Sequence, residues 1–218
     1  MAKTASTRSA PTRSKKSQAD RSSESEFRLL SAAAQILVEE GYSALTFDRV
    51  GEVSGFSRGL ASQKFGSKDG LVLAVVAFLN DHIDASKAPD MHQAANPLEE
   101  IMCYIRFFFG RMIDDKLALS YFVLLAATIA NKSAIHPAFI DAHERVRITL
   151  RDMITRGQAC GVIHPAINPD TAALSIGAFQ LGVATQRLLD PQFDVQPICD
   201  MALPSIRANL ATGQTATA

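Results

Sequence analysis

Thr46-Phe47-Asp48-Arg49-Val50-Gly51-Glu52-Val53-Ser54-Gly55-Phe56-Ser57-Arg58-Gly59-Leu60-Ala61-Ser62-Gln63-Lys64-Phe65 contains two short helical periods separated by a glycine-centred turn. Thr46 is an N-cap for the first, because its hydroxyl can accept a bond from an orphan backbone N–H of the opening turn. Phe47, Val50 and Val53 share the inward face of that helix. Ser54-Gly55-Phe56 makes the turn, and Ser57 caps the second helix. Two short helices at this spacing form a helix-turn-helix, whose second helix enters the major groove of DNA.

The flanks extend the pattern. Upstream, Phe27, Leu30, Ala34, Leu37 and Val38 form a stripe with helical spacing, predicted to bury one face of a first helix that Gly41-Tyr42 ends. Downstream, Ser67 caps a fourth helix, and Asp69 sits favourably at its positive end. Leu71, Val75, Phe78, Leu79 and Ile83 are its buried stripe, and it is expected to run to about Lys87. This fourth helix links the DNA-reading head to the remainder of the chain.

The segment Gly41-Tyr42-Ser43-Ala44-Leu45-Thr46, Gly55-Phe56-Ser57-Arg58-Gly59 and Lys64-Phe65-Gly66-Ser67-Lys68-Asp69-Gly70-Leu71 resembles the tetracycline-repressor-like family of bacterial regulators. The resemblance covers roughly 50 residues at several fixed spacings, which makes it far more specific than a lone short motif. Most members carry Thr-Leu-Tyr in the third helix. Here Leu60-Ala61-Ser62 stands in its place, which is more similar to the branch of betaine and choline pathway regulators. No tyrosine is then available there for the family's usual phosphate contact. Gly51 is a second departure, at a position where the family usually has Ala, and it costs about 1 kcal/mol of helix propensity. The resemblance implies an all-α protein: a three-helix DNA-binding head joined by helix four to a larger ligand-binding and dimerisation body. It also implies that Thr46 and Lys68, at the starts of helices two and four, touch the DNA backbone, and that the body holds an inducer pocket.

Composition limits the alternatives. In 218 residues, 22 Lys and Arg balance 22 Asp and Glu, and 47% of residues are hydrophobic, enough to bury a core. The leading 22 residues hold Lys3, Arg8, Arg13, Lys15, Lys16 and Arg21 against Asp20, a net of +5. Their Ser, Thr, Ala and Pro content predicts disorder over 1–22. Such an arm would lie along phosphates or in the minor groove; equally, it reads as a solubilising tail or a start codon placed too early. The remaining divisions are 23–87 for the head with its linking helix, 88–211 for the body, and a disordered tail over 212–218. There is neither an apolar run of membrane-spanning length nor a signal peptide, and Cys103, Cys160 and Cys199 lie far apart without ligand spacing. A bacterial cytoplasmic protein is expected.

Helices are predicted over Pro97–Met112, Leu117–Asn131, Pro137–Ala159, about Asp170–Leu189 and Gln196–Leu210, with Pro204 expected to kink or split the last. No segment alternates as a strand does, so nine or ten helices are expected. Three groups of residues carry chemistry. On the head, Arg58 and Gln63 are candidate base readers, since Arg pairs bidentately with guanine and Gln with adenine. Thr46, Ser62, Lys64 and Lys68 are placed for phosphates, and Ser57 and Gly59 share their face. In the body, Met102, Tyr104, Arg106, Phe107, Phe109, Tyr121, Phe122 and Gln180 are candidate pocket residues, because adaptable apolar side chains with a few polar groups can line a cavity. Solid core is the competing reading of the same apolar helices. Gly177, Leu181, Gly182, Thr185 and Leu188, with Ile198, Met201 and Ile206, are candidates for a two-fold four-helix dimer interface.

No phosphate-binding Gly-rich loop, metal-binding His pair or nucleophile turn is present, and the five histidines are scattered, so no enzyme, cofactor or metal is expected. The sequence therefore predicts a homodimeric repressor that binds a palindromic operator in double-stranded DNA and is released by a small-molecule effector. An effector-independent or activating dimer with a filled core is the alternative. A helical carrier with a decayed head is a third reading.

Overall fold

The computed structural model describes residues 17–131 and 135–213. Among these, the regular structure is helical: α1 (Gln18–Glu39), α2 (Phe47–Ser54), α3 (Arg58–Phe65), α4 (Lys68–Ile83), α5 (Pro97–Asp114), α6 (Lys116–Asn131), α7 (His136–Ala159), α8 (Pro169–Leu189) and α9 (Gln196–Leu210), with short 3-10 turns between some of them. An all-α architecture is thus what the chain adopts.

Local chemistry explains the boundaries. α1 starts at Gln18, inside the stretch that composition assigns to the disordered arm. Ser17 accepts from the Asp20 N–H while Asp20 accepts from the Ser17 N–H, a reciprocal capping box that fixes the helix start. The rest of the arm, 1–16, lies outside the described residues, as do 214–218 of the tail. Thr212 is tied down, its N–H bonded to the Val162 carbonyl and its hydroxyl to that of Gly161. Thr46, Ser57 and Ser67 cap α2, α3 and α4 as their positions predict. Asn168 caps α8, and Asp170 lies in its first turn.

Three expectations differ from the structure. Phe27 is 59% exposed, since α1 turns Leu29, Leu30, Ala33, Ile36 and Leu37 inward and leaves Phe27 at the edge against Phe78. α4 stops at Ile83, before Lys87, because Asp84 leaves the helical conformation and accepts from the Ser86 N–H to start a 3-10 turn. α9 also runs through Pro204 without a break, so the proline costs a bond rather than the helix.

α1 packs on α2, α4 and α6, which docks the head onto the body, and α7 pairs with α8 along one side. One cluster unites both regions, from Leu29 and Val50 to Leu150 and Leu210. A polar knot stands where α4, α5 and α6 meet. Asp115 receives His82 Nε2 at 2.7 Å, the Arg111 guanidinium, and the Leu117 and Ala118 N–H groups. Burial pushes its pKa up, but the bonds from His82, Arg111 and Ala118 outweigh it, and the net position is below its ordinary 3.8. A carboxyl depressed in the folded state stabilises above its unfolded pKa, and that stability is lost as pH falls through the folded value. Asp115→Asn is therefore expected to flatten the loss of thermal stability below about pH 4, while lowering stability at pH 7. An acid limb unchanged in the variant would show that the knot contributes nothing.

Candidate functional site

The head is built around a close approach of α2 to the turn. A Cβ added to Gly51 would lie 2.9 Å from the Phe56 carbonyl oxygen, so glycine there permits contact and is more than a propensity cost. Gly55, at φ 75°, occupies the left-handed region that the turn requires. Arg28 on α1 locks the turn: its guanidinium donates to the Ser54 carbonyl at 2.7 Å and lies 4.6 Å from the Phe56 ring centre. Nothing local in the sequence marks Arg28, because its partners are 26 residues away.

Ser57, Arg58, Gly59 and Gln63 stand exposed on α3, and Ser62 is half-buried beside them, with Ala61 turned fully inward. Arg58 is held by Asp48 of α2 at 3.3 Å, but both side chains are largely exposed. Such a pair is worth little, so Arg58 can leave it for a base edge. Lys64 is placed differently from the sequence reading. Its ammonium bonds Glu26 and Ser22 on α1 at 3.2 Å each, and its side chain is 16% exposed. It fastens α3 to α1 instead of standing free for a phosphate. Lys68 is exposed at the first turn of α4 with its ammonium 4.8 Å from the Tyr42 ring centre, and Thr46 is exposed at the start of α2. Both therefore stand where helix N-termini present N–H groups and positive potential to an anion.

The body contains a cavity of about 590 Å³ bounded by α4, α5, α6, α7 and α8. Four of the eight candidates line it: Tyr104, Tyr121, Phe122 and Gln180. Met102 and Phe109 do not. They are 1% and 2% exposed within the core, Phe109 edge-to-face with Phe108 and Phe179. Arg106 points to solvent near Cys103, and Phe107 lies under the Arg111 guanidinium. In their place, Phe108 lines the cavity, one helical turn beyond Tyr104. His143 was not foreseen: it joins the wall with its ring stacked on Tyr121, and burial pushes its pKa down. Burial also holds the Tyr104 and Tyr121 phenols well above their ordinary range, so both remain neutral donors.

Of the candidate interface residues, Gly177 and Leu181 face this cavity instead. Gly182 and Thr185 are exposed on α8, in line with Leu174 (57% exposed), Ala178 and Leu189 (76%). On α9, Met201 is 65% exposed, while Ile198 and Ile206, like Leu188 of α8, are half-buried. An apolar groove separates the two helices, with Ile176, Phe179, Met201 and Ile206 in its walls. Among the described residues no group of three His, Cys, Asp or Glu side chains is arranged to hold a metal, and no helix is long and apolar enough to cross a membrane.

The chain thus sets a helix-turn-helix head on a helical body with a half-open cavity between its helices. Residues 29–75 match the family model described as bacterial regulatory proteins, tetR family. Over those residues, the head with its turn and the first half of α4, the chain is similar to that family of regulators. It is 31% identical over 81 residues to the HTH-type transcriptional regulator BetI of Rhizobium meliloti (strain 1021), a match covering 37% of this chain and 40% of that protein. The chain therefore spans well under half the length of that relative. It is 26% identical over 142 residues to the HTH-type transcriptional regulator CymR of Pseudomonas putida, covering 64% of this chain and 68% of that one. A TetR-family transcriptional regulator from Rhodococcus sp. shares the fold, with a TM-score of 0.74 at 20% identity over 87% of this chain and all of that one.

Proposed function

We propose that the protein is a ligand-responsive repressor that binds a palindromic operator as a two-fold dimer and is released by a small molecule in the cavity. The observation that carries this reading is the span of one helix. α4 begins at the head, with Ser67 and Lys68 beside the turn after α3, and its middle turns wall the cavity through Leu73, Val76, Ala77 and Asn80. A ligand that favours one placement of α4 necessarily favours one placement of the head. Its leverage equals its differential affinity for the two placements. A half-open cavity of about 590 Å³ between the helices of the body speaks against the filled core of an effector-independent dimer.

Dimerisation rests on the apolar strip of α8 and the groove beside α9. A monomer rarely leaves such a patch in water, and a single helix-turn-helix reads too few bases for specificity. Relative to the sequence reading, the strip is rotated to Leu174, Ala178, Gly182, Thr185 and Leu189, with Met201 opposite. The double variant Leu174→Asp/Met201→Asp is expected to sediment as a folded monomer at micromolar concentration and to lose at least a hundredfold in operator affinity by gel shift. A variant that stays dimeric, or a monomer that binds the operator as the parent does, would sink this part of the reading.

A further inference from the structure

One residue of the cavity wall carries a buried polar atom without a hydrogen-bond partner. Gln180 of α8 lines the cavity, is 4% exposed, and its Nε2 has no hydrogen-bond partner. A buried amide donor is nearly always paired, so an orphan in a cavity wall marks a place where something else supplies the acceptor. The terminal torsion of glutamine is broad, so the amide can turn its unpaired Nε2 to the cavity at little cost.

The charges narrow the chemistry further. The carboxylates lining the cavity are Asp81, Asp84 and Asp141, against the guanidinium of Arg145. Asp81, Asp141 and Arg145 are exposed, so these groups mark the mouth. Asp81 is already paired with Lys87, and Asp84 is engaged with Ser86. His143 is the remaining titratable group beside them, and burial disfavours its charged form. The mouth is therefore net negative and unfavourable to anions. The rest of the wall includes the Phe108 and Phe122 rings and the two phenols, with Asp84 acting on Tyr104 and Arg145 on Tyr121 as the charges nearest them.

We infer that the effector is a largely apolar molecule without negative charge that bears a carbonyl-type hydrogen-bond acceptor, and that Gln180 is the residue that recognises this acceptor. The apolar body lies against Phe108 and Phe122, and the phenols of Tyr104 and Tyr121 are further neutral donors to the same polar end. Gln180 on α8 shares the cavity with Leu73, Val76, Ala77 and Asn80 of α4, so a ligand that satisfies it also touches α4. This inference rests on the ligand-responsive reading above.

The test uses the full chain and a matched set of nine-carbon probes: propiophenone, propylbenzene and 3-phenylpropanoate. Each competes with the neutral fluorescent probe N-phenyl-1-naphthylamine. Propiophenone is expected to bind about tenfold tighter than propylbenzene, the worth of one hydrogen bond, and 3-phenylpropanoate more weakly than either. In Gln180→Leu the ketone's advantage is expected to vanish or invert, while propylbenzene binds at least as well as to the parent. Removing a buried orphan donor leaves the ligand-free protein at least as resistant to heat. Gln180→Met provides a second variant of similar volume. Equal binding of ketone and hydrocarbon to the parent overturns the inference and leaves ligand responsiveness standing, as does a tenfold preference that survives both substitutions. Binding of 3-phenylpropanoate as tight as that of the ketone overturns the exclusion of negatively charged ligands. A chain that takes up neither the fluorescent compound nor any of the three has no usable cavity in solution, and the ligand-responsive reading then fails together with the inference.

Discussion

Phe109→Ala is expected to destabilise the chain by about 3–5 kcal/mol in urea unfolding, without altering which small molecules it prefers. The ring is 2% exposed and sits edge-to-face between Phe108 on its own helix and Phe179 on α8, with centroids 5.8 Å apart in both cases. Truncation removes the transfer free energy of a whole phenyl group. It also opens a void that α5 and α8 cannot close, since both are held by neighbours on other sides. The two aromatic contacts add about 0.5–1.5 kcal/mol each beyond their buried area. Phe108→Ala, one residue away, is expected to cost less stability, because that ring is half-buried and borders open space, and to change ligand affinity instead. The sequence reading assigns Phe109 to the pocket and the structure assigns it to the core. Denaturation midpoints of the two variants, measured at one protein concentration, separate these roles. A loss below about 1 kcal/mol for Phe109→Ala would mean that the α5–α8 contact is loose.

That one-residue slip shows what the sequence can and cannot carry. The head was legible because its signals are local: Thr46, Ser57 and Ser67 cap helices within three residues of themselves, and Gly55 takes a conformation that favours glycine. α5 is a different problem. Ile101 to Phe109 is apolar nearly all round, so periodicity gives a helix without saying which 100° sector faces a cavity and which a neighbour. Tyr104 lines the cavity, and a phenol in an apolar run is a mark of such a place because its hydroxyl needs a partner, whereas Met102, Phe107 and Phe109 offer no such mark. α8 failed in the same manner. Its small residues indicated close packing, but Gly177 and Gly182 lie on different faces, and only the fold shows that one borders the cavity and the other solvent. Lys64 and Arg28 were illegible for a further reason, since their partners Glu26 and Ser54 are 38 and 26 residues distant. An exposed lysine on a recognition helix reads as a phosphate contact until the helix behind it is in view.

The same geometry makes Arg58 and Lys68 separable by experiment. Arg58→Ala is expected to weaken operator binding by about 1–3 kcal/mol per head, so that two heads on a palindrome lose on the order of a hundredfold or more, and to relax preference at one base pair of each half-site. The guanidinium is 68% exposed and its pairing with Asp48 is a solvent-screened contact, so little stability is lost with it. Lys68→Ala is expected to behave otherwise. Its ammonium lies at the N-terminal turn of α4, steadied over the Tyr42 ring, where it adds positive charge to the N–H groups of a helix end. Its loss should weaken specific and non-specific duplexes by similar factors and lower the slope of log affinity against log salt by about one per contact. Lys64→Ala is the control. Because Glu26 and Ser22 already hold that ammonium, its removal should loosen α3 against α1 and lower the melting temperature of the head, leaving the salt slope nearly unchanged. Gel shifts over a salt series on operator and scrambled duplexes distinguish the three. If Lys68→Ala changed base preference, or Arg58→Ala weakened every duplex equally, the assignment of reading to α3 and positioning to the start of α4 would be reversed.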